Sequence, residues 1–345
     1  MDNIATRLLY GWNDHWAALA TAVGDPATVG RITRVDRGWC TIVGIGDSDV
    51  RARTPSPVAV GDWVAVDLER EEIIETLPRA SELSRAAADS RTEIQYLAAN
   101  VDFVFIMQSL TSDLNVRRLE RELVVAWESG AQPVIVLTKS DVVTAEVAAT
   151  AVALAHTTAL GVDVVVVSNT TGDGFEALIP FVSAGKTIVM FGRSGVGKSS
   201  LINQLVGTEV AAIGEVRVFD DKGKHTTTAT QLIVLATGGL LIDTPGIRAL
   251  GLADAEGGLA VAFADIDDLA TLCRFRDCAH GGEPGCAVRT GITDGLITQD
   301  RLESYLRLRA ELARSEQDRT GWQAAAVHQA QRRFSKSLRG QNNRP

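Results

Sequence analysis

The hydrophobic period of this chain changes twice. Between residues 28 and 80 apolar positions come in short alternating runs: GRITRVD at 30–36, CTIVG at 40–44, VRART at 50–54, DWVAVDL at 62–68 and EIIETL at 72–77. Arg37-Gly38, Gly46-Asp47 and the Pro55–Pro57 stretch punctuate them as turns. Five short strands in so little chain suit a small closed barrel of the OB type. Such a barrel contacts nucleic acid or docks on protein, and the pattern leaves both open. From residue 91 to 250 strands and helices alternate. Strands are predicted at 102–107, 133–137, 163–167, 187–191, 231–236 and 240–242, and a helix at 116–128 puts Leu119, Leu123 and Val124 on one face. This predicts a mostly parallel sheet covered on both sides. Residues 207–230 are polar and poorly patterned, as a mobile switch loop would be. After residue 249 the period turns helical, with Leu302, Tyr305, Leu306 and Leu308 marking one helix and Arg332, Arg333, Lys336 and Arg339 a last arm. The expected organisation is an N-terminal extension at 1–27, a barrel at 28–85, an α/β domain at 86–250 and a helical domain with a basic tail at 251–345. No internal repeat is visible.

Three motifs fall at the C-terminal ends of predicted strands, where open α/β sheets bind ligands. GRSGVGKSS comprises Gly192, Arg193, Ser194, Gly195, Val196, Gly197, Lys198, Ser199 and Ser200. It fits the glycine loop that cradles phosphates with backbone N–H groups. Gly192 and Gly197 let the backbone approach closely, Lys198 offers a charge to the β/γ-phosphates, and Ser199 a hydroxyl to Mg²⁺. In DTPG, Asp243 stands at a strand end to hold a Mg²⁺-bound water, and Gly246 can turn its N–H towards a γ-phosphate. TKSD comprises Thr138, Lys139, Ser140 and Asp141. Asp141 can accept two hydrogen bonds from guanine N1–H and its 2-amino group, and Lys139 can lay its stem along the ring. Adenine lacks the 2-amino donor and would leave the carboxylate unpaired. Ser168 and Asn169, after the next strand, lie where a backbone N–H could meet guanine O6. The order is unusual, because the base-reading motif lies about fifty residues before the phosphate loop instead of after it. That is the arrangement of a circularly permuted GTPase domain.

Composition narrows the setting. The net charge is −9, yet residues 301–345 carry +6, so the remainder carries −15. An acidic protein with a basic tail points to local contact with an anionic partner. No apolar run approaches the about 18 residues that span a bilayer, and no signal-like N-terminus is visible. Three of the four cysteines fall within fourteen residues, which argues against a disulfide scaffold and suits a reducing cytoplasm. Cys273, Cys278, His280 and Cys286 form C-x4-C-x-H-x5-C, a closed Cys₃His set of the structural zinc kind. The competing reading, a cluster of buried free thiols, fits poorly with Arg274, Arg276, Asp277 and Glu283 nearby. Cys40 reads as a small core residue, and His15, His156 and His328 as surface or packing residues.

With these motifs in place the chain resembles the ribosome small-subunit-dependent GTPase A (RsgA) family. TKSD, GRSGVGKSS, KHTTT at 224–228, IDTPGIR at 242–248 and CRFRDCAHGGEPGCAV at 273–288 carry the likeness, in permuted order. The resemblance implies a multidomain α/β protein: an OB-like barrel, a permuted P-loop GTPase core and a C-terminal helical domain holding one Zn²⁺. It implies GTP/GDP and Mg²⁺ as ligands. It also implies late maturation of the small ribosomal subunit, stimulation of hydrolysis by that subunit, contact with its rRNA, and a cytoplasmic monomer with no DNA or membrane partner. The alternative is a guanine-nucleotide-controlled RNA-binding checkpoint in which hydrolysis only resets binding. Two residues depart from the family pattern. Thr138 replaces a usual Asn, so its hydroxyl can tie the loop to the phosphate loop but lacks the amide's second group. Asn169 stands where a small residue is usual.

Hydrolysis calls for a positioned water. Many GTPases place a glutamine after DTPG, whereas Ile247 here cannot hydrogen-bond water. His225 is the expected substitute, and the resemblance points to the same residue. Thr227 is expected to complete the Mg²⁺ shell beside Ser199 and Asp243. Because DTPG runs directly towards the zinc segment, loss of the γ-phosphate at Gly246 is expected to shift that segment.

Overall fold

The computed structural model describes residues 3–86, 94–210, 230–244 and 255–317. Contacts divide the chain into two compact units, Met1–Ser84 with Tyr96–Leu250, and Arg85–Gln95 with Gly251–Pro345.

In the first unit two helices precede the barrel, α1 (Asn3–Leu9) and α2 (Asp14–Val23). The sequence reading left both inside an extension. The Asn13 side chain caps α2 by accepting from Trp16 N–H. Strands β1 (Val29–Asp36), β2 (Trp39–Val43), β3 (Val50–Arg53), β4 (Trp63–Asp67) and β5 (Glu72–Thr76) follow the expected order. They close as β1-β2-β3-β5-β4 with β4 returning to β1, the five-strand barrel the alternation predicts. Ile32, Cys40, Ile42, Ala52, Val64, Val66 and Ile73 fill the interior. Residues on the opposite face of the same strands, Val29, Trp63 and Ala65, pack with Trp16 and Ala20 of α2. A pleated strand buried on both faces explains why 62–68 is so apolar.

Five parallel strands make the α/β layer: β8 (Phe103–Ser109), β9 (Gln132–Thr138), β10 (Asp163–Val167), β11 (Thr187–Phe191) and β13 (Leu240–Asp243), with β12 (Gln231–Val234) antiparallel at the β13 side. Their spatial order is β10-β9-β8-β11-β13-β12, and Gln231 of β12 then pairs with Arg34 of β1 to continue into the barrel. Helix α3 (Val116–Glu128) buries Leu119, Leu123 and Val124 as its period predicts. Helix α4 (Ala145–Thr158) is capped by Thr144, and α5 (Lys198–Val210) starts on the phosphate loop's lysine. Gly207, with φ 70, breaks α5 near its end. The sequence reading missed a second, two-stranded sheet of β6 (Glu82–Ala86) and β7 (Ile94–Ala99).

The second unit contains α6 (Glu256–Ala262), α7 (Ala264–Ala270), α8 (Ala287–Thr293) and α9, spanning 299–317. Phe263, Ile266, Val288, Leu302, Tyr305 and Leu308 are its buried core. Arg301 of α9 donates Nε and Nη2 to the two carboxylate oxygens of Asp265, both at 3.0 Å, and lies 4.2 Å over the Phe263 ring. His225, Thr227, Gly246, Ile247, His328 and the tail residues Arg332, Arg333, Lys336 and Arg339 lie outside the described residues, as do residues 211–229 of the expected switch loop.

Candidate functional site

The parallel strands bring three loops to one edge of the sheet. Strand β11 ends at Phe191 and the glycine loop follows it, turning into α5 at Lys198. Gly192 has φ 145, and a Cβ there would meet the Met107 carbonyl at 2.8 Å; Gly197 has φ 105, and its Cβ would meet Asn169 Nδ2 at 2.8 Å. Conformation therefore requires glycine at both positions, and at Gly192 the backbone contact requires it by space as well. Val196 is buried beneath the loop, while Arg193, Ser194 and Gly195 are exposed at its tip. Lys198 Nζ donates to the carbonyls of Gly192 (2.7 Å) and Arg193 (2.8 Å), which holds the ammonium over the loop's mouth. Ser199 and Ser200 begin the first turn of α5 behind it.

Strand β9 ends at Thr138, which is fully buried, and its Oγ donates to the Val196 carbonyl at 2.6 Å. Lys139 then takes a left-handed backbone, φ 64, and starts the short 3-10 turn Ser140–Val142. Left-handed non-glycine residues are strained and collect at functional loops. This one turns Asp141 back over the sheet edge, where Ser168 Oγ donates to its Oδ1 at 2.7 Å. That bond, with smaller help from the Asp141 N–H, Thr170 and Lys139, holds the carboxyl below its ordinary range. Ser168 Oγ also accepts from the N–H groups of Thr170 (3.2 Å) and Thr171 (3.1 Å), and the Ser168 N–H donates to the Asp173 carbonyl. Among the described hydrogen bonds of 168–171, the Asn169 N–H takes no part.

Asn169 carries contacts that the sequence did not reveal. Its Nδ2 donates to the Gly197 carbonyl at 3.0 Å, and its own carbonyl accepts from Gln204 Nε2 on α5. Gln204 has no motif signature, because its role depends on where α5 passes the loop. Asp243 closes β13 opposite Gln231, half-buried at the same end of the sheet.

The second unit gathers the sulfur and imidazole ligands. Cys273, Cys278, His280 and Cys286 offer ligand atoms that all lie within 4.8 Å of one another. Cys273 Sγ and Cys286 Sγ lie 3.7 and 3.5 Å from His280 Nδ1 and 4.0 Å apart. A zinc tetrahedron with Zn–S near 2.3 Å has edges of about 3.8 Å, so the set matches in size and chemistry. Burial and nearby Arg309 hold the imidazole below its usual pKa, which favours the neutral form a metal needs. Burial and the adjoining thiols push Cys278 up to about 11. Glu283 shapes the loop by accepting from the N–H groups of Ala279 and Gly282, each at 3.0 Å. Its own N–H, then Ala279 and Gly282, draw its carboxyl down to about 2. Cys40 is instead a barrel core residue, its thiol raised to about 11 by burial, and His15 and His156 are exposed.

Known proteins resemble this chain in sequence and in fold. A family model described as RsgA GTPase matches residues 76–253. The "Small ribosomal subunit biogenesis GTPase RsgA" of Streptomyces coelicolor is 45% identical over 313 residues, covering 88% of this chain and 85% of that protein. Its namesake in Methanosarcina acetivorans is 40% identical over 88% of this chain and 84% of its own length. Among solved structures, YjeQ from Thermotoga maritima superposes with a TM-score of 0.64 at 25% identity, covering 83% of this chain and 98% of its own. YloQ, described as a circularly permuted GTPase, gives 0.61 at 28% identity over 83% of this chain and 94% of its own. The permuted strand order, the barrel and these relatives agree, and the chain belongs to the RsgA GTPase family.

Proposed function

We propose that the chain hydrolyses GTP to GDP and phosphate during late maturation of the small ribosomal subunit, that the subunit stimulates turnover, and that the protein contacts its rRNA. The carrying observation is that Asp141, held ionised by Ser168, shares one sheet edge with a glycine loop and its lysine, in a chain of the RsgA GTPase family. Asp141 reads guanine N1–H and the 2-amino group, Lys139 covers the ring, and the Asn169 N–H meets O6. The residues at 192–200 cradle the phosphates. Ser199, Asp243 and Thr227 are suited to Mg²⁺, which supplies charge neutralisation between the β- and γ-phosphates when bound. Lys198 neutralises the same oxygens from the protein side, Gly246 senses the γ-phosphate, and His225 orients the attacking water. Cys273, Cys278, His280 and Cys286 hold one structural Zn²⁺.

The barrel supports the rRNA part of this reading. Trp39 lies under two guanidinium groups, Arg53 at 4.8 Å and Arg51 at 5.4 Å from its ring, and both arginines are exposed. Single-stranded bases stack on surfaces of this kind. The deciding experiment measures GTP turnover alone, with isolated small subunits, and with rRNA alone. Stimulation by intact subunits beyond rRNA alone is expected. Turnover indifferent to subunits would overturn the proposal.

A further inference from the structure

The base-reading and phosphate loops come from strands that are not neighbours: β8 lies between β9 and β11. Something besides the sheet ladder must therefore fix their spacing. Two side chains cross the gap. Thr138 Oγ donates to the Val196 carbonyl at 2.6 Å, and Asn169 Nδ2 donates to the next carbonyl, Gly197, at 3.0 Å. Thr138 is fully buried and has a single hydroxyl proton, so the 3.3 Å approach of the same oxygen to the Gln108 carbonyl is the weaker contact. Gln204 of α5 grips Asn169 from the other side through its backbone carbonyl. The space is matched as well, since a Cβ on Gly197 would strike Asn169 Nδ2 at 2.8 Å.

We propose that Thr138 and Asn169 form a two-point brace in which Asn169 supplies the amide link to the phosphate loop that the threonine at 138 cannot make. Resting on the guanine-nucleotide reading above, the brace ties the two base-side loops to consecutive carbonyls of the phosphate loop. Asn169 is a positioning residue here: its side chain serves the phosphate loop, while its backbone N–H remains available to the base. A site braced before binding loses less loop freedom when nucleotide arrives.

The test uses the full chain and a fluorescent GDP analogue, with dissociation rate and Kd as readouts. Asn169→Ala is expected to weaken GDP and GTP about tenfold, mainly through faster release, with the preference for GTP over ATP unchanged. Adding Thr138→Asn to Asn169→Ala is expected to bring affinity back to within about threefold of wild type, a coupling that unrelated structural damage would not produce. If that double variant does not fold, Asn169→Asp decides: its carboxylate faces the Gly197 carbonyl and must weaken GDP at least as much as alanine does. Wild-type affinity in Asn169→Ala or Asn169→Asp overturns the brace, and so does a folded double variant without rescue. Wild-type protein that binds no guanine nucleotide refutes the site reading instead.

Discussion

At the residue scale the proposed function rests nucleotide choice on one carboxylate, Asp141. It sits at the sheet edge with Oδ1 held by Ser168, so its orientation is fixed before a base arrives. Asp141→Asn is expected to lose guanine affinity by about 10²-fold or more and gain xanthine nucleotides, whose 2-oxo group needs a donor. Competition titration with GTP, XTP and ATP checks this, and equal competition by ATP would refute the assignment. The pH dependence follows from the direction of the shift. A carboxyl held below its usual range keeps its charge as pH falls, and its contribution disappears only on titration through that lowered value. Guanine affinity should therefore stay flat from about pH 8 to about pH 5. His225 belongs to the same scale. With Ile247 unable to handle water, His225→Ala should lower subunit-stimulated kcat by about 10²-fold while leaving GTP affinity nearly unchanged. Stimulated turnover that survives the substitution would mean that a ribosomal group positions the water.

At the scale of elements, the loop at 273–286 gathers the four candidate ligands and is shaped by Glu283. No strand pairing supports it, because it links two seven-residue helices, α7 and α8. Cys278→Ser should release zinc and expose the loop to protease while the α/β sheet stays folded, since folded units fail separately. Metal analysis with limited proteolysis reads both effects; metal-free protein with an unchanged cleavage pattern would rule the centre out. Glu283→Ala should loosen the same loop more mildly, because it frees the N–H groups of Ala279 and Gly282 without removing a ligand. These elements differ in how openly the sequence displays them. The barrel strands, β10, β11 and α3 carry their own period, so local reading finds them within a residue or two. Helix α2 was missed because Trp16, with Trp12 just before the helix, packs against Trp63, a partner distant in sequence, and α1 is only seven residues long. The β6 and β7 strands were missed for a different reason, since they are consecutive in the chain and pair with each other. At the site, glycines, Lys198, Asp141 and the cysteines were legible because their chemistry allows few substitutes. The Asn169 and Gln204 contacts were not, since they exist only where two loops and α5 meet.

At the scale of the first unit, the barrel and the α/β sheet fall within one compact unit, and Arg31 is the reason to expect them to melt together. Its guanidinium is 2% exposed yet faces no carboxylate at hydrogen-bond distance among the described bonds; it donates instead to the carbonyls of Gly61 (3.1 Å), Tyr10 (2.7 Å) and Asn100 (3.0 Å) and to Thr187 Oγ (3.0 Å). Those acceptors come from the barrel, the segment after α1, the turn before β8 and the start of β11. Burial lowers its pKa to about 10, with Asp102 and then Asp62 opposing, so it remains charged at neutral pH. Gly61 fits the same seam, since a Cβ there would lie 2.1 Å from the Ala99 carbonyl. Arg31→Met keeps the apolar stem but leaves these acceptors unpaired, and should cost at least about 3 kcal/mol. The consequence for coupling is sharper than the loss itself. The proposed GDP site lies at the edge of the α/β sheet, whereas Trp12, Trp16 and Trp63 report on the barrel and its helical cover. In a Trp127→Phe, Trp322→Phe background, where the remaining tryptophans (Trp12, Trp16, Trp39 and Trp63) all belong to the barrel and its cover, GDP should raise the fluorescence midpoint in the parent, because one cooperative unit shares the ligand's stabilisation. With Arg31→Met the midpoint should stop following GDP while nucleotide binding persists at low temperature. A parent midpoint that ignores saturating GDP would show that the barrel melts independently and that Arg31 joins the layers without coupling them.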